Sequence, residues 1–199
     1  MEKGGVTAAP RSGKKGVCPW QGYSRVRHLD HFLRPLIHNA AALFGPYVRP
    51  GMTVLDVGCG GGFASLGLAR LVGNGGRVIA ADLQPEMLKM VEGRAKEAGL
   101  SGRIRTHVCG PDRIGVKGPV DLAVAFFMVH EVPDTAAFLA EISAVLRTGG
   151  HLFVAEPLFH TTKSYFLRLI AGAKAQGLVP VAYPRVFFGR AAVLEKRHG

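Results

Sequence analysis

Two aspartates and a run of glycines are the residues in this 199-residue chain best placed to do chemistry. Val54-Leu55-Asp56-Val57 is an apolar run carrying an acid near its end, and it breaks at once into Gly58-Cys59-Gly60-Gly61-Gly62. Val78-Ile79-Ala80-Ala81-Asp82 is a second such run, its acid 22 residues after Gly60. A strand that breaks into glycines ahead of a helical pattern is a strand-to-helix turn. Glycine there permits positive φ and lets a ligand lie against the backbone at the helix N-terminus. An acid at the end of the next strand stands where doubly wound folds receive ribose hydroxyls. The turn does not complete a dinucleotide fingerprint, because Phe63 replaces the last glycine of G-x-G-x-x-G. Asp56 just ahead of the glycines disfavours a pyrophosphate and favours a cationic ligand.

The elements that must hold these residues follow from periodicity. Strands are expected over residues 53–57, 77–82, 104–109, 120–126 and 151–155, with helices over 64–72, 85–98, 135–146 and 164–176. Residues 148–150 are read as the stop of the third of these helices. Residues 179–188 and 190–195 are read as two closing strands around Gly189, a hairpin. Alternating strands and helices imply an α/β fold: a Rossmann-like, doubly wound, seven-stranded sheet, mostly parallel with a C-terminal antiparallel hairpin. Ligands of such a sheet sit at the carboxyl ends of its strands. Upstream of this core (46–199), residues 1–16 read as a disordered basic tail, being too poor in apolar side chains to offset the entropy of ordering. Residues 17–45, with Trp20, Tyr23, Phe32 and Leu36 at helical spacings, read as a helical cover.

Composition bounds the function. An apolar fraction of 48% is that of an ordinary globular domain, and no apolar run approaches the roughly 20 residues of a membrane span. Three cysteines without framework spacing fit a reducing compartment, and with no signal-peptide pattern the expected location is cytoplasmic. The net charge of +11 would suit nucleic acid, an anionic membrane or an acidic substrate. Residues 1–50 hold eight Lys and Arg against Glu2 and Asp30, so much of the excess precedes the core. His28 and His31 stand three apart with Asp30 between them, but no ligand cluster follows, and no metal is expected.

The motifs together resemble the class I S-adenosylmethionine-dependent methyltransferases. The matching pieces are residues 54–62, 78–84, 121–134 and 146–152, in that family's order and spacing, and Val129-His130-Glu131-Val132-Pro133-Asp134 is most similar to the ubiquinone and menaquinone methyltransferase branch. The resemblance implies S-adenosylmethionine as cofactor, S-adenosylhomocysteine as product and a small-molecule methyl acceptor. It assigns Asp56, Gly58, Cys59 and Gly60 to the cationic methionine end of the cofactor and Asp82 to the ribose. Leu83, Gln84 and Met87 would lie beside the adenine, with Gly110 following the third strand. Many members carry Gly-Asp-Ala at that point, whereas this chain has Cys109-Gly110-Pro111-Asp112, so either the Gly110 backbone or Asp112 would make the contact. Phe126, Phe127 and His130 would approach the methyl group. Cys18, Cys59 and Cys109 do not form the cysteine pattern of arsenite methyltransferases.

Methyl transfer is an in-line displacement, so its main demand is alignment in a dry site. A thiolate acceptor needs no base, whereas a phenol or hydroxyl is helped by one of pKa near 7, which suits His130, with Glu131 beside it. Trp20, Tyr23, His130 and Tyr165 are the expected acceptor-side residues. Alternatives from other classes are an RNA methyltransferase, favoured by charge but lacking an Asn/Asp-Pro-Pro-Tyr motif, and a non-catalytic protein that binds the cofactor. For Asp56 and Asp82 a capping role in the turn, and for Phe126 and Phe127 a core role, are the competing structural readings.

Overall fold

The computed structural model describes residues 38–197. Most of the basic tail and helical cover, with Cys18, Trp20, Tyr23, His28 and His31, lies outside the described residues. The elements are α1 (Ala40–Phe44), β1 (Thr53–Val57), α2 (Phe63–Leu71), β2 (Arg77–Asp82), α3 (Pro85–Glu97), β3 (Ile104–Val108), β4 (Val120–Phe126), α4 (Thr135–Val145), β5 (Leu146–Pro157), α5 (Lys163–Ala175), β6 (Leu178–Ala182) and β7 (Gly189–Lys196). Single 3₁₀ turns at Ser101–Arg103 and Val129–Glu131 lead into β3 and follow β4.

The strands form one seven-stranded sheet in the order β3-β2-β1-β4-β5-β7-β6, parallel from β3 to β5 and antiparallel at both pairings of β7. The strand order reverses between β1 and β4, which opens a crevice at their carboxyl ends. The central strands read as unbroken apolar runs because both faces are covered. Leu55, Val57, Ala123, Ala125, Leu152 and Val154 point to one face and pack with Phe138, Leu139 and Ile142 of α4 and Phe166 and Leu169 of α5. Val54, Leu122, Val124, Phe126 and Phe153 point to the other face and pack with Phe44 of α1 and Leu68 and Ala69 of α2. Alternation by two along each strand therefore divides the core into two layers.

Helix starts are set by side chains that satisfy otherwise unpaired N–H groups. Asp134 accepts from Ala136 and Ala137 at 2.9 and 3.0 Å to open α4, and Thr162 accepts from Tyr165 at 3.1 Å to open α5.

Two boundaries differ from the periodicity. β5 begins at Leu146 rather than His151, because Leu146 pairs with Val120 and His151 with Leu122, and the intervening Arg147–Gly150 bulge outward. The glycines that looked like a helix stop belong to that bulge. β6 ends at Ala182, short of the expected residue 188, where Tyr183-Pro184 removes a ladder donor and begins a loop that rejoins β7 at Gly189. Pro180 is tolerated within β6 because that strand is the sheet edge.

Phe153 sits at the centre of one core layer with no exposed surface, its ring edge-on to Phe44 at 5.1 Å. Phe153→Ala is expected to cost about 3–5 kcal/mol through lost burial and a cavity. Urea unfolding should show a lower midpoint at an unchanged slope.

Candidate active site

The glycine turn after β1 is held by β2. The Cys59 N–H donates to the Ala81 carbonyl at 3.1 Å, and the Gly60 N–H donates to Asp82 Oδ2 at 2.9 Å. The other Asp82 oxygen, Oδ1, accepts from the Gln84 N–H at 2.9 Å. Asp82 is 3% exposed, and each of its oxygens keeps a lone pair beyond the one these bonds use. Arg94 of α3 donates to the Gly61 carbonyl at 2.5 Å, clamping the turn from the other side. Gly58 has φ of +64°, and a Cβ there would come within 2.9 Å of the Met128 side chain. Glycine is thus required both by conformation and by the close approach of the segment after β4. Asp56 is 1% exposed and accepts the Ser65 hydroxyl at 2.5 Å, tying β1 to α2.

A cavity of about 370 Å³ opens at the carboxyl ends of β1 to β4. Gly58, Asp82, Leu83, Gln84, Gly110 and Glu131 line it, as do Cys109 and Asp112. Its remaining walls include Ile114, Met128, Phe138 and Glu141, none of which stands out in the sequence. Glu141 Oε2 accepts the N–H groups of Ile114 and Gly115 at 3.0 and 3.1 Å, which anchors the loop after β3 as a wall. Asp56, Cys59, Gly60 and Met87 are not in the lining. Cys59 and Met87 are buried, and the Gly60 amide is engaged by Asp82. The Cys109 thiol is pushed up to about 12 by burial first and then by the Asp82 and Glu141 charges. Burial, followed by the fields of Asp56 and Asp82, pushes the Cys59 thiol up as well.

A second cluster forms on the other side of the 3₁₀ turn that follows β4. Glu156, near the end of β5, has no exposed surface, yet its carboxylate accepts three hydrogen bonds. Oε1 accepts the Val129 N–H at 2.9 Å; Oε2 accepts the His130 N–H at 3.2 Å and pairs with His130 Nδ1 at 2.7 Å. A buried carboxylate bonded to Nδ1 selects the tautomer with the proton on Nδ1, which leaves Nε2 as an acceptor. Glu131 Oε1 is 4.0 Å from Nε2, too far for a hydrogen bond, and the ring of His160 lies edge-on at 5.6 Å. The Nε2 edge of the His130 ring thus lies beside Glu131, a residue of the cavity wall.

Tyr165 of α5 is half-buried, and its hydroxyl is pushed up to about 12 by burial and by the charge of Glu156, with Thr135 opposing weakly. Phe126 is a core residue at 4% exposure, stacked on Phe127 at 4.4 Å and edge-on to His38 at 5.3 Å. Neither phenylalanine lines the cavity. Glu156 and Arg94 are the residues the sequence reading missed. Glu156 carried a readable signal, since it ends an apolar strand as Asp82 does; Arg94 carried none, being one of several cations on a solvated helix.

Three comparisons with known proteins bear on this site. A family model described as "Methyltransferase domain" matches residues 54–150. The ubiquinone biosynthesis O-methyltransferase of Methylobacterium sp. (strain 4-46) is 33% identical over 143 residues, 72% of this chain and 55% of that protein. The enzyme of the same name from Xylella fastidiosa (strain 9a5c) is 35% identical over 62% of this chain and 48% of its own length. The chain thus spans about half the length of these curated relatives. A SAM-dependent methyltransferase from Aquifex aeolicus has the same fold, with a TM-score of 0.74 at 24% identity over 86% of this chain and 97% of that one.

A thiol held at about 12 is thiolate in roughly one part in 10⁴ at pH 8. Iodoacetamide should therefore label Cys109 about 10³-fold more slowly in the native chain than in the unfolded one, rising about tenfold per pH unit. Peptide-resolved mass spectrometry reads this directly, and equal rates in the two states would contradict it.

Proposed function

Because residues 54–150 make this chain a member of the class I S-adenosylmethionine-dependent methyltransferases, we propose that it methylates an oxygen of a small-molecule acceptor, with His130 as general base. The observation that carries the reading is the buried Glu156 carboxylate, 2.7 Å from His130 Nδ1, which sets Nε2 as the proton acceptor. That the curated relatives are O-methyltransferases supports an oxygen acceptor.

The donor set of the cavity fits the cofactor. Asp82 keeps two lone pairs, one on each oxygen, matching the two hydroxyls of a ribose. Leu83, Ile114 and Phe138 offer an apolar wall for a purine, and Gln84 a polar contact beside it. The Asp56 charge behind the turn would favour a cationic ligand end. Bound S-adenosylmethionine would supply an electrophilic methyl group on a sulfonium. Glu156 would hold the His130 ring by its Nδ1–H, and His130 Nε2 would accept the acceptor hydroxyl's proton. Tyr165 and His160 would flank the acceptor. The main-chain bonds from Val129 and His130 to Glu156 would keep this pair rigid.

The test is methyl-labelled S-adenosylmethionine with a panel of phenols, quinols, thiols, amines and RNA. Methylated phenol or quinol is the expected product. Label in RNA, or tight binding of the donor with no product at all, would overturn the reading. His130→Gln and Glu156→Gln should leave donor affinity unchanged while lowering kcat on oxygen acceptors, by about 10²- to 10⁴-fold for His130→Gln. A His130→Gln enzyme with full kcat on every acceptor would remove the base. Asp82→Asn should weaken calorimetric donor affinity by about 10- to 100-fold, the scale of hydrogen bonds to a charged group.

A further inference from the structure

The loop from Cys109 to Pro119 holds no helix or strand, yet its first half walls the cavity. Two side chains from regular elements keep it in place. His107 Nε2, on β3, donates to the Ile114 carbonyl at 2.9 Å, and Glu141 Oε2, on α4, accepts the N–H groups of Ile114 and Gly115 at 3.0 and 3.1 Å. Both bonds to Glu141 fall on one oxygen. A carboxylate offers about four lone-pair sites on two oxygens, and among the described residues Oε1 accepts nothing. Glu141 is half-buried in the cavity wall, so that free oxygen belongs to the site and not to the outer surface.

Its neighbours fix which end of the site it serves. Glu141 follows Phe138 by three positions and so shares its face of α4, and its other oxygen holds the backbone of Ile114. Phe138 and Ile114 are two of the apolar walls between which a purine fits, and the carboxylate stands where they meet. Cys109, also in the wall, feels the charges of both Asp82 and Glu141, which places the two acids on one cavity. The other acids of the lining are committed elsewhere or face water. Asp134 caps α4, Glu131 stands beside His130 Nε2, and Asp112 is exposed. Gly110 brings no side chain, and the Arg113 stem lies 3.1 Å from where its Cβ would be.

We propose that Glu141 is the specificity-determining residue for the base of the cofactor: Oε2 holds the wall, and Oε1 accepts a hydrogen bond from the exocyclic amino group of adenine. The inference rests on the S-adenosylmethionine reading of the cavity. An ionised carboxylate can only accept, so it pairs with an amino group and repels a carbonyl oxygen at the same ring position. A site built around such a bond rejects an analogue that lacks the donor, because its own polar group is then left unpaired. One side chain thus both shapes the base slot and reads the base within it.

The experiment is calorimetric binding of S-adenosylhomocysteine and of S-inosylhomocysteine, in which a carbonyl replaces the amino group, to the full chain and two variants. The parent should prefer the adenine ligand by about 10- to 100-fold, the scale of a hydrogen bond to a charged group. In Glu141→Gln the amide oxygen can still accept both loop N–H groups, which turns the amide nitrogen, a donor, to the place of Oε1. That variant should lose or reverse the preference, while its thermal unfolding matches the parent because both anchoring bonds remain. Asp112→Asn should keep the parent's preference. Equal affinity of the parent for the two ligands would overturn the proposal, as would a Glu141→Gln chain that discriminates as the parent does, or a preference that moves with Asp112→Asn. A parent chain that binds neither ligand would overturn the cofactor reading itself, and this proposal with it.

Discussion

A carboxylate buried at the end of a strand must be met by hydrogen-bond donors, or its desolvation destabilises the fold by several kcal/mol. Asp82 at the end of β2 takes donors from the glycine turn after β1, and Glu156 at the end of β5 takes them from the 3₁₀ turn after β4. β1 and β4 are the two strands between which the sheet order reverses. Each outer neighbour therefore carries an acid that grips the turn following the inner strand. The constraint works in pairs: the acid is satisfied only if the turn is in place, and the acid helps to hold the turn there.

This pairing sets two chemical compartments side by side. The Asp82 side is the apolar-walled cavity with a carboxylate facing it. The Glu156 side is a polarised histidine whose Nε2 lies 4.0 Å from Oε1 of Glu131, a residue of the cavity wall. The short Val129–Glu131 turn joins them, with Glu131 in the cavity wall and His130 bonded to Glu156.

The edge that presents both compartments continues into the aromatic loops. β5 leads directly from Glu156 to Leu158 and Phe159, and the antiparallel return of β7 begins at Gly189, opposite Pro157. Burial and exposure of aromatics thus change abruptly along one sheet edge. Phe126 and Phe153 lie under α1 and α2, while Phe159 and Phe187, a few residues beyond paired strands, lie outside every layer.

The amino-acid sequence alone gave the number of strands and their mostly parallel sheet, the glycine turn and the two acids Asp56 and Asp82. Those features are local: strands covered on both faces must be continuous apolar runs, and a tight turn demands glycine at fixed offsets. Tertiary structure alone decided what the sequence pattern could not encode. It joined Glu156 to His130 across 26 residues and Arg94 to Gly61 across 33, and it walled the cavity with Ile114 and Glu141. It also drew the bulge before His151 and ended β6 at Ala182. Periodicity reports that a side chain is apolar, not whether another element covers it, and so Phe126 and Phe187 read alike until the chain is folded.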